Sequence, residues 1–363
     1  MEYKKIGELT SVVTGGTPKT SHPEYWENGE IPWLQSGCCQ NCDVYSSEKY
    51  ITKEGYDNSS TRLMPADTVM IALTGATAGK IGYLRFEACG NQSITGIFPC
   101  NSLNQRYLFY FLISQRERIL SDCIGGAQPH ISQGYVKDIK IPIPTMEEQQ
   151  SIVKRLETTR QLIDQRQNEI KLLDQLIKAR FVEMFGDPIN NDKGWKTASV
   201  ESLCTEIYGG GTPSKAHPEY YKDGDIPWVS SKDMKCEVIK DSQIKINQLG
   251  VENSTARMVP VNSVIIVIRS GILKHTLPVA INAVPITINQ DLKAFIPNEL
   301  VLAKFLSVQF KMHEKDILSG VRAVTADNIE FNSLKQREMI VPPIELQQQY
   351  DVFLSQVDKS RFV

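Results

Sequence analysis

The 363-residue sequence has no run of 18 or more apolar residues, and its first residues, "MEYKKIGELT", lack the apolar stretch of a secretion signal. Neither membrane insertion nor export is expected, and the protein is expected to be cytoplasmic. Cysteine is scarce and poorly spaced for a metal. Of eight, only Cys38, Cys39 and Cys42 cluster, no second Cys-x-x-Cys pair follows at zinc spacing, and the later half of the chain carries Asp233, Met234 and Glu237 at the corresponding positions. Reduced thiols and no metal are expected. A surplus of positive charge is missing too: 40 Lys and Arg stand against 42 Asp and Glu, with 13 against 14 in residues 1–145 and 18 against 17 in 188–343. Any binding of nucleic acid must then neutralise phosphates through a local face or through partner subunits.

Catalytic signatures are equally thin. "GATAGKIG" (Gly75 to Gly82) has three residues instead of four between Gly75 and Gly79, and Ile81 stands where a phosphate loop needs Ser or Thr for magnesium. "YGGGTP" lacks the G-x-G-x-x-G spacing of a cofactor loop and a following acidic partner. No Asn-Pro-Pro-aromatic or Asp-Pro-Pro-aromatic tetrapeptide occurs, so methyl transfer is not expected in this chain. Glu237 and Lys240 match a nuclease pair only loosely, and the first half lacks it. His22 and His217 lie in matched "HPEY" turns, where structural roles are expected. No cofactor is expected.

What the chain does contain, it contains twice. "GGTPKTSHPEYWENGEIPW" (Gly15 to Trp33) and "GGTPSKAHPEYYKDGDIPW" (Gly210 to Trp228) agree at 12 of 19 positions with an offset of 195. Ile51 to Leu73 aligns with Ile246 to Ile268 at the same offset. "NQSITGIFP" (Asn91 to Pro99) then aligns with "NQDLKAFIP" (Asn289 to Pro297) at 198, an offset that persists to "IPTMEEQQSI" (Ile143 to Ile152) against "VPPIELQQQY" (Val341 to Tyr350). Each copy reads as mixed α/β: a Gly/Pro-rich loop, a short strand at Trp33 or Trp228, a buried strand "TVMIALT" or "SVIIVIR", then a helix, "NQRYLFYFLISQRERILSD" or "ELVLAKFLSVQFKMHEKDIL".

Between the copies, Met146 to about Phe185 holds no proline or glycine and is rich in Glu, Gln, Lys, Arg and Leu, which predicts a long helix. Leu156, Ile163, Ile170, Ile177 and Met184 fall seven residues apart and form one apolar seam for packing on a partner helix. The second seam, Ile152, Thr159, Arg166, Leu173 and Arg180, is only partly apolar, so a helix pair fits better than an extended zipper. After the second copy the same helix begins again, "IELQQQYDVFLSQVDKSRFV", and stops at the equivalent of Gln165, so that roughly half of a second helix is expected to be absent.

The duplicated "GGTP…IPW" loops, the paired "NQ" segments, the helix starts "PIPTMEEQQ" and "PPIELQQQ", and "KARFVEMFGDPINNDKGW" (Lys178 to Trp195) together resemble the DNA-specificity subunit of type I restriction-modification enzymes. The resemblance implies two target-recognition domains, 1–145 and 188–343, each reading half of a split asymmetric site in double-stranded DNA. It implies a central spacer helix over 146–187, and a second spacer helix, truncated, over 344–363 that packs antiparallel to the first. It further implies docking of two methyltransferase (modification) subunits, recruitment of restriction subunits for cleavage, and no catalysis by the chain itself. A specificity subunit serving methylation alone, a truncated recombination product, and an independent DNA-modifying enzyme are the alternatives.

Polar residues on loops that follow strands are the binding candidates, because a rigid sheet can present them to a groove. In copy one these are Thr17, Ser36, Thr74, Thr77, Lys80, Gln92, Ser93, Gln128 and His130. In copy two they are Thr212, Ser214, Ser231, Arg269, Ser270, Lys274, His275, Gln290, Asp291, Arg322 and Thr325. Gln suits adenine, Arg guanine and Asp cytosine, while Lys and Ser suit phosphates. Positions shared by the copies, Gly16/Gly211, Trp33/Trp228 and Gln92/Gln290, suit a scaffold or common phosphate contacts. Positions that differ, Thr74/Arg269 and Ser93/Asp291, suit telling two half-sites apart.

Overall fold

The computed structural model describes residues 2–122, 130–323 and 327–361. It divides into two compact units, Met1–Gln165 and Arg166–Val363. Each unit is mixed α/β, and the sheets of the two units follow one plan. In the first, a five-stranded sheet has the order Val12–Thr14, Ile94–Ile97, Val69–Ala72, Ile81–Leu84, Cys42–Val44, antiparallel except for its last pair. In the second the order is Cys204–Gly209, Leu292–Pro297, Val264–Val267, Val279–Asn282, Val238–Ile239, again parallel only at the last pair. A four-stranded sheet accompanies each: Lys49–Ile51, Ile31–Leu34, Ala88–Gly90, Leu63–Met64, and Ile244–Ile246, Ile226–Val229, Ile286–Ile288, Met258–Val259. The strand carrying Trp33 or Trp228 runs parallel to its neighbour Ala88–Gly90 or Ile286–Ile288.

The apolar runs at the centre of each five-stranded sheet have a plain physical cause. A strand covered on both faces loses the polar alternation of a half-exposed one. Val69 and Ile71 point into a core with Leu108, Phe109 and Leu112 of the helix Gln105–Ser114, whereas Met70 and Ala72 join Leu34, Met64 and Ile94 on the other side. Val264 and Ile266 meet Phe305 and Phe310 of Ala303–Met312, while Ile265 and Val267 meet Val229 and Ile288.

The helix after each sheet differs from the sequence expectation, since it is broken in two. Gln105–Ser114 is followed by Arg116–Ser121, and Ala303–Met312 by Glu314–Ser319, with Gln115 and His313 as the single residues between them. Neither break has a proline or glycine. The turn brings Ile119 and Ile317 back onto their cores, and that burial is what a straight helix would lose.

Met146–Phe185 forms one 40-residue helix. A capping box starts it: the Glu148 backbone N–H donates to Thr145 Oγ1 at 3.3 Å, and the Thr145 N–H donates to Glu148 Oε2 at 2.9 Å. It stops at Gly186, whose φ of +76° and lack of room for a Cβ, 1.9 Å from Asp192 Oδ1, demand glycine. Lys193 Nζ donates to the carbonyls of Glu183 and Met184, and Trp195 Nε1 to that of Phe185, so "FGDPINNDKGW" is a helix terminator. Ile177 and Met184 pack against the core of the second unit. Leu156, Ile163 and Ile170 are 42%, 51% and 45% exposed. The helix Ile344–Arg361 sets Tyr350 against Phe181 and Phe185, and its later residues Leu354 and Asp358 line one cavity with the earlier Asp174 and Ile177, so the two helices run in opposite directions there.

The "QQ" in each helix start is a matched lock. Buried Gln149 accepts from the Asn104 N–H at 2.8 Å and donates to the Pro144 carbonyl at 3.0 Å. Buried Gln347, 198 positions on, accepts from the Leu302 N–H at 3.0 Å and donates to the carbonyls of Leu300 and Pro342. Each glutamine ties the first turn of its helix to the residue that begins the helix packed on its sheet, Asn104 ahead of Gln105–Ser114 or Leu302 ahead of Ala303–Met312.

Candidate nucleic-acid interface

The repeated "GGTP…IPW" motif is a clamp between a loop and a strand. Trp33 Nε1 donates to the Gly16 carbonyl at 2.9 Å, and Trp228 Nε1 to that of Gly211 at the same distance. A Cβ on Gly16 would lie 2.6 Å from the Thr61 backbone nitrogen, and one on Gly211 2.5 Å from the Thr255 carbonyl carbon, so the loop lies on backbone that only glycine can approach. His22 and His217 behave as matched supports: each stacks on the tyrosine three residues on and meets a glutamate, Glu24 at 2.7 Å or Glu219 at 2.9 Å.

The clamp carries Thr17 and Thr212 to the "NQ" segment. Thr17 Oγ1 donates to Gln92 Oε1, and Thr212 Oγ1 to Gln290 Oε1 at 2.5 Å. The preceding asparagines shape the turn, because Asn91 Oδ1 accepts from the Ser93 N–H and Asn289 Oδ1 from the Asp291 N–H, both at 3.1 Å. The exposed Gln92 and Gln290 therefore stand on the same rigid support in both units.

Next to this shared frame lies a group of three positions at which the units differ. In the first unit Thr74 Oγ1 donates to Ser93 Oγ at 2.9 Å, and Thr74 pairs through its backbone with His130. In the second, Arg269 Nε and Nη2 both lie on Asp291 Oδ1, at 2.7 and 2.6 Å, and Arg269 pairs through its backbone with Asn328. The supporting bonds match as well, Ile131 N–H to the Leu73 carbonyl and Ile329 N–H to that of Ile268, each 2.9 Å. Asn328, exposed, is absent from the sequence-predicted set, although adding 198 to His130 reaches it.

The other candidates surround these groups. Thr77 closes the turn Gly75–Thr77, and Lys80 Nζ donates to Gln40 Oε1 at 2.6 Å. Ser270 caps the turn Gly271–Lys274, Lys274 Nζ lies 3.8 Å from Asp327 Oδ2, and His275 ends that turn, exposed. Ser36 begins the turn Ser36–Cys38 after the Trp33 strand, and Ser231 lies in the turn after the Trp228 strand. Ser214 accepts from the Ala216 N–H at 3.3 Å within the second clamp loop. Gln128 and Thr325 lie outside the described residues, as does the side chain of Arg322, whose backbone pairs with Asn328. Of the clustered cysteines, the bond with Cys38, together with burial, pushes the Cys39 thiol well above its ordinary range, while the same bond lowers that of Cys38. Among the described residues no group of three or more His, Cys, Asp or Glu side chains converges as a metal site.

Two units that repeat one loop frame and vary the side chains on it match a known family. Its model, the type I restriction modification DNA specificity domain, covers residues 1–172 and again 192–362. The chain belongs to that family. It is 28% identical over 379 residues to the type I restriction enzyme EcoR124I/EcoR124II specificity subunit of Escherichia coli, spanning 99% of this chain and 87% of that protein. It is 26% identical over 372 residues to the type I restriction enzyme MjaIX specificity subunit of Methanocaldococcus jannaschii, spanning 96% and 84%. In fold it is similar to the crystal structure of the type I restriction-modification system S subunit from M. genitalium, with a TM-score of 0.60 and 14% identity over 99% of this chain and 90% of that one. This specificity subunit therefore owes its internal repeat to two copies of one DNA-specificity domain. Among its described residues no helix is long and apolar enough to cross a membrane.

Proposed function

We propose that this chain reads a two-part, asymmetric site in double-stranded DNA, one half with each unit, and that it performs no chemistry of its own. The observation that carries this reading is the matched loop frame. Thr17–Gln92 and Thr212–Gln290 repeat a bonded pair unchanged, while Thr74, Ser93 and His130 give way to Arg269, Asp291 and Asn328 on the same supports. Constant polar groups hold the backbone of any duplex, and variable ones distinguish bases. Residues 1–145 and 188–343 act as the two readers. The helices Met146–Phe185 and Ile344–Arg361 set the distance between half-sites and dock two methyltransferase subunits, with Leu156, Ile163 and Ile170 on the packing seam; restriction subunits join for cleavage. The work is done in the cytoplasm, where the DNA of a restriction system's host lies.

The purified chain should transfer no methyl group and cut no duplex when given a methyl donor, ATP and magnesium. Combined with modification subunits, it should direct methylation to one two-part sequence. Methyl transfer or cleavage by the chain alone would make it an enzyme and overturn this reading.

A further inference from the structure

We propose that Asp291 is a positioning residue that holds Arg269 for recognition of a guanine, so that the half-site read by the second unit requires a guanine where the half-site of the first does not. This rests on the reading of the chain as a DNA-specificity subunit, and goes further in naming the base and the residue that selects it.

The geometry is that of a braced guanidinium. The turn begun by Asn289 fixes the Asp291 backbone, and Asn289 Nδ2 donates to Asp291 Oδ2 at 3.1 Å, which leaves Oδ1 for Arg269 Nε and Nη2. The carboxylate is thus oriented before the arginine meets it. Side-on engagement uses two of the five N–H donors of a guanidinium, and the remaining donors include one on each Nη, the pair whose spacing suits guanine O6 and N7. The Arg269 side chain is 49% exposed and its partner 24%, so the arginine reaches solvent while its brace is mostly covered.

A purely structural tether is the competing explanation, and the first unit argues against it. There the same two positions are joined by Thr74 and Ser93, two small neutral hydroxyls at 2.9 Å, and two flanking backbone bonds recur: Leu73 N–H to the Ser93 carbonyl and Ile131 N–H to that of Leu73 match Ile268 N–H to Asp291 and Ile329 N–H to Ile268. The fold therefore does not need a charge at this place, and an exposed ion pair adds little to stability. Both members differ between the units: the arginine faces a carboxylate, and the threonine a hydroxyl.

The test uses the full chain assembled with its modification subunits and a library of duplexes, with methylated products sequenced. The parent complex should demand guanine at one position of one half-site. Asp291→Asn, which keeps shape and removes the charge, and Arg269→Lys, which removes the planar fork, should each reduce the preference for that guanine about 5- to 150-fold while every other position stays the same. The double variant Arg269→Thr/Asp291→Ser, which installs the pair already present in the first unit, should methylate sites with other bases there. Unchanged base preference in all variants would overturn the proposal. So would a uniform loss of methylation with preference intact, which is the signature of a phosphate contact or a structural tie. If the parent complex selects no two-part site, the DNA-specificity reading itself fails, and the two failures are thereby distinguished.

Discussion

His313 stands where the first unit has Gln115, at the break between two short helices, and it gives the second unit a pH sensitivity that its counterpart lacks. The ring is 3% exposed, and Arg337 Nη1 donates to Nδ1 from 3.3 Å. Burial, and secondarily the charge of Arg337, push its pKa down from 6.5 to about 4. Between those values the unfolded chain binds a proton that the folded one refuses, so stability falls as pH drops from about 6.5 towards about 4, by about 3 kcal/mol at most. His313→Gln should flatten that decline without changing stability much at pH near 7, as read from urea unfolding at several pH values. Equal declines in both proteins would assign the effect to other groups. At this scale the sequence was uneven to read. The offsets of 195 and 198 expose Trp33/Trp228 and Gln92/Gln290 directly, yet they say nothing of what these side chains touch. That Gly16 accepts from Trp33, that Asn91 shapes the turn for Ser93, and that Arg269 leans on Asp291 are contacts between residues 2 to 22 apart, set by the path of the backbone between them.

Among the elements, the end of the long helix depends on an aromatic cluster. Phe181 and Phe185 are fully buried with Phe305 and Tyr350, with ring centroids 4.9 to 6.4 Å apart. Tyr350 Oη also donates to the Ile177 carbonyl at 2.9 Å, and burial raises its pKa. Packing should outweigh the hydrogen bond. Tyr350→Phe should cost about 1 kcal/mol of second-unit stability, and Tyr350→Ala about 3–5 kcal/mol. Denaturant titration of both variants decides it, and similar losses from the two would put the weight on the hydroxyl instead. The long helix was legible because a proline-free, glycine-free run of 40 residues has few other options. The central strands were legible from their apolar runs. Sheet order was not, since the parallel pairing of Ile31–Leu34 with Ala88–Gly90 joins segments far apart in sequence. Nor were the breaks at Gln115 and His313, which no local signal marks and which burial of Ile119 and Ile317 explains.

On the scale of the whole molecule, the first part of the helix Met146–Phe185 belongs to one unit and the rest to the other. If the units read independently and the helix fixes the distance between what they read, changing its length should alter one property of the recognised site and spare the rest. Four residues inserted after Gln165 add about 6 Å of rise and turn the helix by about 40° beyond a full turn, which keeps the Leu156–Ile163–Ile170 seam approximately in register. The decisive measurement is the sequence of every methylated site produced by complexes carrying the parent chain and the insertion. Both should show the same two half-sites, with the gap between them longer by about one to two base pairs in the insertion, as B-DNA advances about 3.4 Å per pair. An unchanged gap would reduce the helix to a docking surface, and altered half-site bases would contradict independent reading by two units.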